Sequence, residues 1–255
     1  MKSKFTNRLF VKSVNHLFQA YNSTRKALSS MMYPWRCPGC AVLLPYPGVI
    51  CEECRVSLRK VERPFCSRCG IPFPSRWRVQ KCPDCHTHKI PLTRVRSLFY
   101  YEGLAREMIC DAKYSDKPRM LNYMAEQLFL LAANEFQKKP YALIPVPLHR
   151  SREWDRKYNQ AEVLANEVGR LWNVPVIHGL CKIGKRVPQS SLSAAARKAN
   201  LKGAFQVSSK VQLPASIMLI DDVMTTGATL FECALVLRSA GVRKVYGLTV
   251  ARTTI

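Results

Sequence analysis

The stretch IMLIDDVMTTGATL, residues 217–230, joins a short unbroken apolar run to two adjacent carboxylates and a Thr-Thr-Gly-Ala-Thr turn. Four consecutive apolar residues, Ile217 to Ile220, predict a strand buried on both faces of a parallel sheet. Beyond the turn, Leu230, Ala234 and Leu237, with the neighbouring Val236, recur at helical spacing until Gly241 offers a stop. The stretch therefore predicts strand, turn and helix, with the strand ending at Asp221 and Asp222. Backbone N–H groups at the start of a helix lack intrahelical partners, and the helix dipole favours an anion there. Thr225 to Thr229 are thus placed to cradle a phosphate; Gly227 allows a left-handed turn or a close approach, and the hydroxyls add donors. Two carboxylates just upstream repel a polyphosphate unless they face hydroxyls or a metal. Acids on a ribose diol and amides on a phosphate satisfy both halves, so the expected ligand is a phosphorylated sugar. The plain alternative is a turn and helix cap with no ligand, but the strand-turn-helix context favours a binding site.

At 255 residues and 47% hydrophobic content the chain is long enough for one large globular domain or two modest ones, and global disorder is excluded. Its longest apolar stretches, such as 41–50 and 128–133, are too short for a bilayer, so no membrane span is expected and the chain reads as cytoplasmic. Forty Lys and Arg face seventeen Asp and Glu, a formal charge of +23, which makes a polyanionic partner the leading physical expectation. The first ninety residues are densest in net positive charge, with sixteen basic and four acidic side chains. A solvated basic surface gives the same composition.

Residues 1–35 hold six Lys and Arg and no acid, and Phe10, Val14, Leu17 and Tyr21 sit at helical spacing. A basic amphipathic helix competes there with an ordinary loose terminus, which is the expectation. Four Cys-x-x-Cys pairs follow, Cys37/Cys40, Cys51/Cys54, Cys66/Cys69 and Cys82/Cys85, separated by loops of ten, eleven and twelve residues. Paired knuckles of this spacing enclose a tetrahedral Zn²⁺ through four thiolates, and such closed sites are structural. Eight ligands predict two zinc ions. The first two knuckles are expected to pair, and the last two likewise; spacing is also compatible with an interleaved arrangement. The prolines and glycines between the knuckles leave little room for a core, so metal supplies much of the module's folding energy. His86 and His88 are expected to be bystanders.

Farther on, Arg94 to Tyr101 and Ala142 to Val146 read as strands, as does Lys244 to Ala251. Leu104 to Lys113, Leu121 to Phe136 and Ala161 to Leu171 read as helices. The exit of the second strand, Pro145 to Arg150 followed by Arg152, Arg156, Asn159 and Gln160, brings cations to the carboxyl end of a strand, where open α/β sheets bind ligands. Between Leu180 and Phe205, Lys185, Arg186, Gln189, Arg197 and Asn200 mark either a cover over an anion or a solvated loop.

Residues 217–230 resemble the motif of type I phosphoribosyltransferases that binds phosphoribosyl pyrophosphate (PRPP). That resemblance implies that Asp221 and Asp222 hold the ribose hydroxyls and that Thr225, Thr226, Gly227, Ala228 and Thr229 hold the 5'-phosphate. Over roughly Tyr33 to Thr253 the chain resembles the ComF family, which includes the GntX-like proteins. The matching stretches are Ala112-Lys113-Tyr114, Val146-Pro147-Leu148 with Asn159-Gln160, Arg186-x2-Gln189-x7-Arg197-x2-Asn200 leading to Ala204-Phe205, and the loop from Asp221 to Thr229. The chain departs from the family at Lys157, where glycine is usual, and in its longer N-terminal extension.

The resemblance implies an α/β fold: a type I phosphoribosyltransferase-like parallel sheet flanked by helices over residues 91–255, preceded by a double zinc ribbon over 33–90 and a basic extension over 1–32. It also implies Mg²⁺ with PRPP, a pyrophosphate loop at Val146 to Arg156 carrying Arg152 and Arg156, and a flap carrying Arg186 and Arg197, with Lys113 as a further cation. Two functions follow. One is PRPP binding in DNA uptake and natural transformation, with single-stranded DNA held by basic zinc-ribbon and domain surfaces beside a helicase-like partner. The other is an active PRPP-dependent transferase, for which neither catalytic base nor acceptor is identified. Trp35, Phe65, Phe73 and Trp77 among the ribbon's cations suit base stacking, and suit equally well a covering role over the knuckles.

Overall fold

The computed structural model describes residues 36–37, 39–44, 50–74, 79–88, 90–114, 118–148, 158–183, 203–209 and 211–254. The expected N-terminal helix, Trp35, Trp77, Arg152, Arg156, Lys157 and the stretch from Lys185 to Asn200, with Arg186 and Arg197, lie outside them. The chain forms two compact units, residues 1–51 and 52–255. In the smaller unit the first knuckle is a tight turn closed by Cys37 N–H on Val42 O (2.7 Å) and Ala41 N–H on Cys37 O (2.9 Å), with an antiparallel bridge between Arg36 and Leu43.

The larger unit contains, in order, α1 (Glu52–Ser57), α2 (Pro83–Thr87), β1 (Arg94–Tyr100), α3 (Gly103–Tyr114), α4 (Pro118–Glu135), β2 (Ala142–Pro145), α5 (Gln160–Trp172), β3 (Leu180–Lys182), β4 (Phe205–Val207), β5 (Ser216–Met224), α6 (Ala228–Ser239) and β6 (Lys244–Arg252). Four of the strands form the parallel sheet the apolar runs predict, in the order β1-β6-β5-β2. The first half of the central strand β5 is apolar without a polar alternation because both its faces are covered: Ile217, Met218, Leu219 and Ile220 are all 0% exposed. On one face Ile217 and Leu219 pack with Leu230, Ala234 and Leu237 of α6. Met218 and Ile220 point the other way by strand alternation, toward the side covered by α4 and α5.

The second cysteine cluster is built into this sheet. Cys66, Cys69, Cys82 and Cys85 belong to the same buried cluster as Val95 and α6. The knuckle repeats the geometry of the first, with Cys66 N–H on Ile71 O (2.8 Å) and Gly70 N–H on Cys66 O (2.9 Å). Gly70 sits at φ +71°, and a Cβ there would lie 2.8 Å from the Val95 carbonyl oxygen, so the sheet approaches too closely for any other residue.

An edge strand exposes unpaired backbone groups, and both edges here are blunted. Along β1, Val61 N–H bonds Leu98 O, Tyr100 N–H bonds Arg59 O, and Val95 N–H bonds Arg68 O. Along β2, Leu143 N–H bonds Pro175 O and Ile177 N–H bonds Leu143 O.

β5 differs from the expectation. It continues through the paired acids to Met224, because β6 runs beside it as far as Arg252 and supplies partners for Asp221, Val223 and Met224. The ends of the segment between Leu180 and Phe205 pair as a two-stranded antiparallel ribbon, β3 with β4, for which the sequence shows no alternation.

Candidate functional site

Two sets of four thiols come together, Cys37 with Cys40, Cys51 and Cys54, and Cys66 with Cys69, Cys82 and Cys85, each set with its sulfur atoms within 4.8 Å of one another. The pairing of knuckles is therefore sequential. A Zn–S bond of about 2.3 Å places tetrahedral sulfurs about 3.8 Å apart. Cys69 Sγ and Cys82 Sγ are 3.7 Å apart, and Cys40 Sγ and Cys51 Sγ 3.5 Å, so the donor sets fit two structural zinc ions. Backbone N–H groups point at the sulfurs in both sets: Cys51 and Gly39 donate to Cys37 Sγ, and Cys82 donates to Cys66 Sγ, each at 3.4 Å. The Cys69 hydrogen bond, helped against burial by the backbone donors of Cys82, Cys69 and Arg68, pulls the Cys66 thiol down to about 4, while burial and the Cys66 charge push Cys85 up to about 12. Each of these thiols must lose its proton to bind a metal ion. His88 bonds Thr87 rather than a cysteine.

Arg252, at the end of β6, is 2% exposed and donates from Nη1 to Cys69 O at 2.8 Å. Its Nε is buried without a hydrogen-bond partner. Burial presses on its charge, and the thiols of Cys69, Cys66 and Cys82 oppose that pressure.

At the carboxyl ends of the strands a cavity of about 270 Å³ is lined by Asp221, Asp222 and the whole loop from Thr225 to Thr229, together with Lys113 from α3. The loop turns through Gly227 at φ +79°, where a Cβ would lie 2.6 Å from Met224 Cε and 3.0 Å from the Phe231 ring. Gly227 is also the N-cap of α6 and offers no side-chain acceptor, so the helix opens toward the cavity with no acid in its first turn. Thr226 Oγ1 accepts from Ala228 N–H at 3.4 Å.

Each carboxylate commits one oxygen to the next backbone N–H: Asp221 Oδ1 to Asp222 N–H (2.9 Å) and Asp222 Oδ1 to Val223 N–H (2.6 Å). Asp222 Oδ2 meets Lys113 Nζ at 2.9 Å. Burial first, and then the charge of Asp222, pushes the Asp221 carboxyl well above its ordinary range; Lys113 offsets this only in part. Adjacent carboxylates of this kind accept hydrogen bonds from a diol or bind a cation, and a group that neutralises them relieves their repulsion.

The cavity also brings together residues that the sequence reading did not place in the site. Tyr101 comes from the exit of β1 and Lys182 from β3, and neither carries a local signal. Asn159 and Gln160, noted for their spacing, are 7% and 2% exposed and act as bolts. Asn159 donates from Nδ2 to Val146 O (3.1 Å) and caps α5 by accepting from Ala161 N–H (3.0 Å). Gln160 Nε2 and the Tyr158 hydroxyl both donate to Ala112 O, one residue before Lys113. The triplet thereby ties the exit of β2 to the end of α3 and fixes where Lys113 begins.

Among known proteins, a double zinc ribbon domain model matches residues 28–86. Competence protein F of Haemophilus influenzae is 30% identical over 210 residues, 80% of this chain and 90% of that protein. Competence protein ComFC of Bacillus subtilis is 26% identical, over 75% of this chain and 79% of its own length. The DNA utilization protein YhgH of Escherichia coli K12 is 27% identical over 80% of this chain and 90% of its own. Among solved structures, the glutamine PRPP amidotransferase of B. subtilis aligns with 55% of this chain and 30% of its own at 17% identity and a TM-score of 0.37. With its two four-cysteine centres leading into a parallel sheet, and with this degree of identity to competence protein F over most of both chains, the chain belongs to the ComF family.

Proposed function

We propose that the chain is a PRPP-binding protein of DNA uptake and natural transformation that also engages single-stranded DNA. The observation that carries the ligand is the convergence, in one cavity, of Asp221 and Asp222 at the end of β5, the left-handed Gly227 opening α6, and Lys113 held 2.9 Å from Asp222. In this reading the two acids take the ribose hydroxyls, and the backbone of Thr225 to Thr229 takes the 5'-phosphate at the positive end of the helix dipole. Lys113 faces the pyrophosphate, joined from outside the described residues by Arg152, Arg156, Arg186 and Arg197. Mg²⁺ bound with PRPP neutralises the pyrophosphate charge. Residues 33–90 serve as the metal-stabilised module, residues 91–255 hold the ligand, and a helicase-like motor is the protein partner. The names of the relatives, competence proteins and a DNA utilization protein, support the cellular role. The formal charge of +23 supports the polyanion.

A second reading, an active phosphoribosyl transferase, is favoured by the same Lys113, a cation positioned where leaving-group charge would grow. Incubating the protein with PRPP, Mg²⁺ and a panel of bases while measuring pyrophosphate separates the two. Release with one base supports the transferase; binding without release supports the accessory role. Single-stranded DNA binding is expected at low salt and weakens steeply as salt rises; absence of binding, or binding indifferent to salt, contradicts that half of the proposal.

A further inference from the structure

Parallel strands gather all their amino ends on one side of a sheet, and here that side is built differently from the ligand cavity. β1 begins at Arg94, β5 at Ser216 and β6 at Lys244, and Tyr141 immediately precedes β2. Two cavities open along this edge, of about 550 and 390 Å³, and they adjoin through Lys138, Lys244 and Tyr246, which line both. Lys81, Lys138, Arg243 and Lys244 are exposed around them, and no Asp or Glu is among the described residues lining either. Two aromatic rings lie between these cations. Tyr141 is 65% exposed, and Tyr246 is braced edge-on by Phe136 at 5.4 Å.

Cations at intervals meet phosphates, and flat rings meet bases only when those bases are unpaired, so the mixture selects a single strand over a duplex. The ribbon is less well equipped where it is described. The Phe65 ring lies beneath the guanidinium groups of Arg96 and Arg63, at 4.4 and 5.0 Å, and Phe73 packs against the core.

We propose that this amino-terminal edge of the sheet, centred on Lys138, Lys244, Tyr141 and Tyr246, is the track for single-stranded DNA. It rests on the DNA-binding half of the function proposed above and assigns it to one face. That face lies roughly 17 to 20 Å from the acids along β5, which stand five and six residues after Ser216, at about 3.3 Å per residue, so DNA and PRPP occupy opposite ends of the sheet at once.

The test uses the full zinc-loaded chain and a fluorescent oligothymidine, followed by anisotropy across a salt series. Lys138→Gln with Lys244→Gln is expected to lower the slope of log affinity against log salt by about 1.4, at about 0.7 for each phosphate no longer neutralised. Tyr141→Ala is expected to weaken binding about tenfold with little change of slope. Both variants retain the thermal shift given by PRPP with Mg²⁺, and saturating PRPP leaves the oligonucleotide bound. If the unaltered protein binds and neither variant weakens it, this face is not the track, while the DNA-binding reading stands. If the unaltered protein fails to bind at low salt, both fall. Should the double lysine variant lose its PRPP shift through misfolding, Tyr141→Ala alone decides.

Discussion

Asp221 is the residue on which the ligand site turns, and its raised pKa has a defined consequence. Burial and the neighbouring Asp222 favour its protonated form in the free protein, whereas a diol and its cation require the carboxylate. On the proposed reading, PRPP binding is accompanied by proton release, and affinity is expected to rise with pH as the Asp221 carboxylate forms. The thermal shift given by PRPP and Mg²⁺ is expected to shrink as pH falls from 8 toward 5, more steeply than ligand protonation alone explains; a pH-independent shift contradicts the role of Asp221. Arg252 makes a comparable point at the second metal centre. A guanidinium buried with an orphaned Nε is costly unless an anion compensates it, and a zinc tetrathiolate carries two negative charges. Two zinc ions per chain are expected by elemental analysis. In Arg252→Leu a chelator should extract one of them faster than in the unaltered protein, leaving the other rate unchanged; equal rates would remove Arg252 from the centre.

At the scale of elements, the C-terminus of α4 shows how the ribbon is fastened to the sheet. Glu135 there receives Arg96 Nε at 2.7 Å and Arg63 at 3.0 Å, and its carbonyl accepts from Arg94. Burial works against the carboxylate, but the bonds and charges of Arg96 and Arg63 hold its pKa below the ordinary value. A depressed carboxyl contributes stability that is present above the unfolded pKa and disappears as pH falls through the folded one. Arg96 is only 4% exposed, so Glu135→Gln leaves a buried charge unpaired and should cost about 3 kcal/mol in denaturant unfolding at pH 7. That penalty should fade toward pH 3; a loss under 0.5 kcal/mol at pH 7 would make the staple incidental.

The elements themselves were largely readable. Helix and strand positions from Arg94 onward follow their apolar periodicity to within a few residues, because both faces of the sheet are buried and the pattern is strong. The extension of β5 past the acids was not readable, since it depends on the length of β6 beside it. Nor were Tyr101 and Lys182, which reach the cavity only through the order of strands and the β3–β4 ribbon. Asn159 and Gln160 were visible as polar residues near a strand exit, but that they line the cavity while holding the backbone of Val146 and Ala112 is revealed only by their burial and hydrogen bonds.

For the molecule as a whole, a parallel sheet carries two acids, the Thr225–Thr229 loop and Lys113 at one end and exposed cations with tyrosines at the other, with a four-cysteine centre seated on one face. No helix among the described residues is long and apolar enough to cross a membrane. The cavity above β5 is proposed to hold PRPP through its two acids. Titration calorimetry of the zinc-loaded chain with PRPP in the presence of Mg²⁺ addresses it directly, run beside Asp221→Asn with Asp222→Asn. One Mg²⁺-dependent site per chain, lost in the double variant while that variant keeps its fold and both zinc ions, is the predicted result. Equal affinity in the two proteins would contradict it.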